Sequence, residues 1–106
     1  MLTISNDKTI QTVITTFEVT PGTCLDLMDE LSAAFEEVIS KQPGYIASAL
    51  HVNDARTRIA NYSQWRSRED FHAMLRVEEM RTRNRRINEL SKSFAPVMYE
   101  VATCVV

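Results

Sequence analysis

From Thr9 to Val19 the chain alternates, with Val13, Thr15, Phe17 and Val19 on one parity and Ile10, Thr12, Ile14 and Thr16 on the other. This predicts a strand with neither face simply washed by water. Pro21-Gly22 breaks it, and Thr23 with Asp26 has the spacing of a helix-capping box. The helix that follows is expected to run to about Ser40, burying Cys24, Met28, Leu31, Phe35 and Val38, and Gln42-Pro43-Gly44 stops it. Tyr45 to Val52 reads as a second strand, with Tyr45, Ala47, Ala49 and His51 on one face and Ile46, Ser48, Leu50 and Val52 on the other. Asn53-Asp54-Ala55-Arg56 carries hairpin-turn chemistry, and Thr57 to Trp65 returns as a third strand.

Ser67 then offers a cap, with Asp70 at the position that completes the box, for a helix to about Arg76 that buries Phe71, Met74 and Leu75. The pattern leaves open whether that helix continues past Val77. A helical period resumes from Glu78 to about Phe94, Pro96 ends it, and Val97 to Val106 forms the last strand. The order β-α-β-β-α-β is that of a ferredoxin-like α+β fold: an antiparallel sheet of four strands with helices on one face. Apolar residues on both parities of most strands imply that the other face is covered too. The expectation is a homodimer with its sheets face to face, a dimeric α/β barrel.

Composition narrows this without changing it. The 106 residues form one domain, 1–106, with 44% apolar and 25% charged residues and a net charge of −2, which gives no footprint for nucleic acid. Residues 1–8 read as a polar lead-in without an apolar signal core, and no stretch is apolar enough to span a bilayer, so a cytoplasmic protein is the default expectation. Cys24 and Cys104 have no metal-ligand spacing and read as small apolar residues rather than a disulfide. A nucleophilic triad, a glycine-rich phosphate loop and HxxE or CxxC spacing are all missing, so no metal site is expected.

Candidate chemistry gathers where the third strand meets its helix. Ile59, Asn61, Ser63 and Trp65 share one face, which sets a carboxamide and an indole N–H beside a strand-to-helix turn, a setting suited to a flat, oxygen-bearing ligand. A buried Trp under a helix and a structural Asn account for the same pattern. Ala47 and Ala49, between Tyr45 and His51, would leave room under a helical layer, with His51 as a base or hydrogen-bond partner. On the later helix, Met80, Arg83, Ile87, Leu90 and Phe94 fall at alternating spacings of three and four. A guanidinium in such a stripe must snorkel, pair with a carboxylate or meet an anion in a cavity. Arg81, Arg85 and Arg86 lie off the stripe as a solvated basic face.

Gln42-Pro43-Gly44-Tyr45-Ile46, then Asn61-Tyr62-Ser63-Gln64-Trp65 and Ser67-Arg68-Glu69-Asp70-Phe71, resemble the antibiotic biosynthesis monooxygenase (ABM) domain family over nearly the whole chain. The branch that looks most similar is the cofactor-independent anthrone and quinol oxygenases. The resemblance implies a dimer that needs no cofactor and uses O₂ to oxidise a phenolic, anthrone or hydroquinone-type aromatic to a quinone. It places the family's functional Asn and Trp on Asn61 and Trp65, its strand His on His51, a pocket phenol on Phe71 (whose hydroxyl is missing here) and a pocket arginine on Arg85, whereas the stripe favours Arg83. Haem-degrading relatives need a histidine on the later helix, which has none. A small-molecule-binding or stress-associated dimer without catalysis is the alternative from a different class.

Overall fold

Four strands pair into one open antiparallel sheet of order β2-β3-β1-β4: β1 is Gln11–Glu18, β2 is Tyr45–Val52, β3 is Arg58–Trp65 and β4 is Ser93–Tyr99. Three helices, α1 (Pro21–Glu37), α2 (Arg68–Arg76) and α3 (Glu78–Leu90), connect them in the β-α-β-β-α-α-β order of a ferredoxin-like fold. The computed structural model describes residues 2–106; of the lead-in expected over 1–8, Met1 lies outside the described residues.

The inward face of β1 is Val13, Thr15 and Phe17, continued by Val19, all buried, as the alternation predicts. Two details of α1 correct the sequence reading. The helix begins at Pro21 with Thr20 as its N-cap, because proline's fixed φ and missing N–H suit the first helical position; the amide of Thr23 instead donates to the Thr20 carbonyl at 3.1 Å. Its buried line is Cys24, Leu27, Leu31 and Ala34, with Met28 and Phe35 moved to the half-buried flank. The helix stops at Glu37, and a single tighter turn, Ile39–Lys41, carries the chain towards β2.

In the β2–β3 hairpin, Asn53 Oδ1 accepts from the amides of Thr57 and Arg58, both at 2.9 Å, and Arg56 takes the left-handed conformation at φ 60°. Ser67 caps α2 as expected, accepting from the Asp70 amide at 3.1 Å. Ser67→Ala should therefore lower stability by about 1 kcal/mol, read as a shift in the urea midpoint with an unchanged slope.

The last third of the chain departs most from its pattern. A break at Val77, in extended conformation, makes α2 and α3 separate helices. The later helix ends at Leu90, not near Phe94, because the Ser91 amide and hydroxyl both donate to the Ile87 carbonyl, at 3.0 and 2.9 Å, and Ser91 itself is extended. Phe94 is therefore a strand residue opposite Phe17, their rings stacked with centroids 5.6 Å apart. Pro96 lies within β4, an edge strand that pairs only with β1, so its missing N–H breaks no second ladder. Residues 100–106, expected as strand, are irregular.

The buried side chains form two clusters. One joins Val13, Ala34, Trp65, Phe71, Met74 and Met80; the other joins Phe17, Leu27, Leu31, Ile59 and Ile87. Between them, mid-strand on the buried face of the sheet, stand Thr15, Asn61 and Ser63. On the opposite face, Val97 and Tyr99 remain 44% and 48% exposed, and Gln64 donates to the Thr3 carbonyl at 2.7 Å, so the lead-in rests against the sheet there.

Candidate functional site

Strand register explains how a polar patch reaches the middle of the core. Leu50, Asn61, Thr15 and Pro96 lie opposite one another across β2, β3, β1 and β4, in one row on the helix side. The neighbouring row is Ser48, Ser63, Val13 and Met98. A cavity of about 220 Å³ stands over these rows. Thr15, Asn61 and Ser63 give its floor a polar character, and Leu31, Phe35, Met74, Met80 and Ile87 roof it from α1, α2 and α3. Every lining side chain is uncharged and non-titratable. Among those residues Pro96 is exposed and Phe35, Leu75, Asn84 and Phe94 are half-buried, so the cavity is partly open to solvent, with Asn84, Phe94 and Pro96 on its β4 side.

Asn61 is 7% exposed, and its Oδ1 is buried with no hydrogen-bond partner among the described residues. An unpaired buried carbonyl costs on the order of 1–3 kcal/mol. Trp65, fully buried, forms part of the cavity wall. Its Nε1–H donates to Ser63 Oγ at 3.3 Å, and that hydroxyl donates to the Val13 carbonyl at 3.2 Å. Tyr45 and Phe71 meet the indole edge-on, at centroid distances of 5.5 and 5.8 Å. The ring is thus fixed in position, with its polar atom already engaged.

The structure brings together only part of the set read from sequence. Asn61, Trp65 and Phe71 line one cavity. Tyr45 packs behind Trp65 rather than in the lining, because an irregularity between Tyr45 and Ala47 shifts the register and turns Tyr45 to the helix side. From there parity runs against the expected alanine pocket: Ala47, Ala49 and His51 pair with Gln64, Tyr62 and Ala60 on the sheet face without helices. Ala49 and His51 therefore lie across the sheet from the cavity, and His51 is exposed. Arg83 takes the carboxylate option that its stripe left open, pairing with Glu37 at the end of α1, outside the lining; Arg85 is exposed.

Three polar lining residues, Thr15, Ser63 and Asn84, lie outside the set that the sequence points to. Thr15 and Ser63 carry a signal, since polar side chains at the centre of an inward strand face interrupt an otherwise apolar run. Asn84 carries a weaker one: Met80-Asn84-Ile87 is as good a helical stripe as Met80-Arg83-Ile87, and the structure selects the former.

A family model described as antibiotic biosynthesis monooxygenase matches residues 10–86. Tetracenomycin-F1 monooxygenase of Streptomyces glaucescens is 35% identical over 74 residues, which is 70% of this chain and 66% of that protein, just short of two thirds of its length. An anthrone oxidase-like protein superposes with a TM-score of 0.85 at 26% identity, covering 93% of this chain and 42% of that one. SnoaB, a cofactor-independent oxygenase from Streptomyces nogalater, superposes with a TM-score of 0.73 at 16% identity, covering 91% and 96%, a likeness of fold.

Proposed function

We infer, because the chain belongs to the antibiotic biosynthesis monooxygenase family, that it is a cofactor-independent monooxygenase converting a phenolic or anthrone-type aromatic to a quinone with O₂. The observation that carries this reading is the unpartnered Asn61 carboxamide in an uncharged, aromatic-walled cavity. Such a site holds a flat, neutral ring and offers hydrogen bonds at one end.

In the reaction the substrate gives up two hydrogens, one oxygen atom enters at a ring carbon, and the other leaves as water with those hydrogens. The electrons come from the ring itself, so the protein's task is to favour the electron-rich anion. Asn61 can turn its carboxamide to present Nδ2–H to a developing phenolate, while the hydroxyls of Thr15 and Ser63 lie on the same floor. The anion transfers an electron to O₂, the two radicals combine at the ring carbon, and the resulting peroxide loses water. With the indole N–H held by Ser63, Trp65 serves this scheme as the wall that stacks the ring; the same N–H would have to leave Ser63 to bond the peroxide. Phe71 fixes that wall from its edge. The arginines of α3, among them Arg83 and Arg85, lie outside the lining and are assigned to drawing an acidic phenol towards the mouth. The exposed Val97 and Tyr99 on the helix-free face support a two-fold dimer through that face, where His51 and Ala49 would lie.

The test is O₂ uptake and quinone absorbance with metal-stripped protein on anthrone and simple phenols, corrected for autoxidation. Turnover is expected to survive chelation. Because no titratable side chain among the described residues lines the cavity, the rate should rise with pH along the substrate's own ionisation and shift when a more acidic phenol is used. A profile that stays fixed across phenols of different acidity would refute the reading.

A further inference from the structure

The geometry points to Asn84 as a specificity-determining residue that reads a second oxygen at the far end of a two-ring substrate. This rests on the oxygenase reading of the same cavity and adds a ligand length and a second hydrogen bond to it.

Three observations support it. First, the cavity's polar groups sit on two opposed surfaces: Thr15, Asn61 and Ser63 on the sheet, and Asn84 as the one polar side chain of the helical side. Second, Asn84 makes no side-chain hydrogen bond among the described residues, although it is half-buried between Met80 and Ile87, both 3% exposed or less. Its carboxamide, with donor and acceptor both uncommitted to those residues, is free to bond a ligand group that enters the cavity. Third, size limits what can span the gap. An apolar cavity of about 150 Å³ takes one benzene ring. The cavity of about 220 Å³ here has room for two fused rings, and a third must pass out where the lining is open, as it is beside Asn84 and Pro96.

The arrangement therefore fits a naphthalene-sized phenol with one oxygen on the floor and another at the opposite end, under Asn84. The floor oxygen is the one that ionises. The distal oxygen, reading only position, sets which ring carbon faces O₂.

Binding and turnover are measured separately. Calorimetric titration under nitrogen compares α-naphthol with the naphthalenediol that carries α-hydroxyls diagonally opposite on its two rings, in wild type and in Asn84→Leu. Wild type is expected to bind the diol about tenfold more tightly than α-naphthol. Asn84→Leu should remove that preference while changing α-naphthol affinity less than about twofold, a pattern that general damage to the helix does not produce. Equal affinity for the two ligands in wild type, or equal loss of both in the variant, overturns the proposal. So does a tetracyclic phenol that binds more tightly than the diol. O₂ uptake is then followed with the diol. Selective binding with no uptake in air leaves the role of Asn84 standing and rejects the oxygenase reading; uptake with anthrone but no diol preference does the reverse.

Discussion

Gly44→Ala should lower the stability of the fold by about 2–3 kcal/mol, a large share of the roughly 5–15 kcal/mol of a small domain. Gly44 is left-handed at φ 85°, and its carbonyl accepts the Arg66 amide at 2.7 Å, which holds the start of β2 against the β3–α2 turn. Alanine in that conformation costs about 1 kcal/mol. Its Cβ would also meet the Asp70 side chain. Asp70 cannot yield freely, because its Oδ2 accepts from Ser67 Oγ at 3.0 Å and from Arg66 Nε at 3.1 Å, so displacing it disturbs a cap worth about 1 kcal/mol more. The second term is separable. Asp70→Ala in the Gly44→Ala background should recover about 1 kcal/mol relative to the sum of the single changes, measured by urea unfolding of all four proteins. Strict additivity would show that only backbone strain is involved. The same turn sets Trp65 at the end of β3 against Phe71 in the first turn of α2, so the glycine supports the cavity wall as well as the fold.

How far the sequence reveals these features depends on which physical signal each one leaves. The β-α-β-β-α-β frame, the β1 face and the Ser67–Asp70 cap follow from period and capping chemistry alone, while the division of the later helical stretch at Val77 does not. The strand after α3 does not, because Pro96 carries two meanings: it ends helices, and it forces the residue before it into extended backbone. Ser91 tips that balance, as a short side chain that competes for a backbone hydrogen bond. The alanine face fails for a different reason. Alternation tells which residues share a side but not which side is covered, and a single register shift near Tyr45 separates it from Ala47. On α3, spacings of three and four are both compatible with one helical face, so Arg83 and Asn84 were equivalent until α1 supplied Glu37 as a partner for the charge. Long-range pairings of this kind leave no local trace. Asn61, by contrast, is legible as a polar residue at the centre of an apolar face.

Asn61→Leu is expected to lower kcat/KM for a phenolic substrate by about 100-fold or more while leaving the melting temperature unchanged or higher. The two halves have opposite physical origins. Oxyanion donors in enclosed sites contribute about 10²–10³ in rate, since the donor is in place before charge develops and no water replaces it. In the resting protein the same carboxamide is a cost: it is 7% exposed, its carbonyl oxygen has no partner among the described residues, and it separates two apolar clusters that leucine would join. Leucine has nearly the same shape, so no large void or clash results. Asn61→Asp sharpens the test. It preserves shape but sets an acceptor where a donor is needed, and burial away from any cation raises the carboxyl's pKa. It should be as inactive as the leucine variant at high pH, where two negative charges would oppose each other. If Asn61 held the sheet together instead, leucine would lower stability and activity in step, and aspartate would unfold the protein further. Parallel measurement of O₂ uptake and thermal unfolding on the three proteins decides between a residue kept for the fold and one kept at the fold's expense.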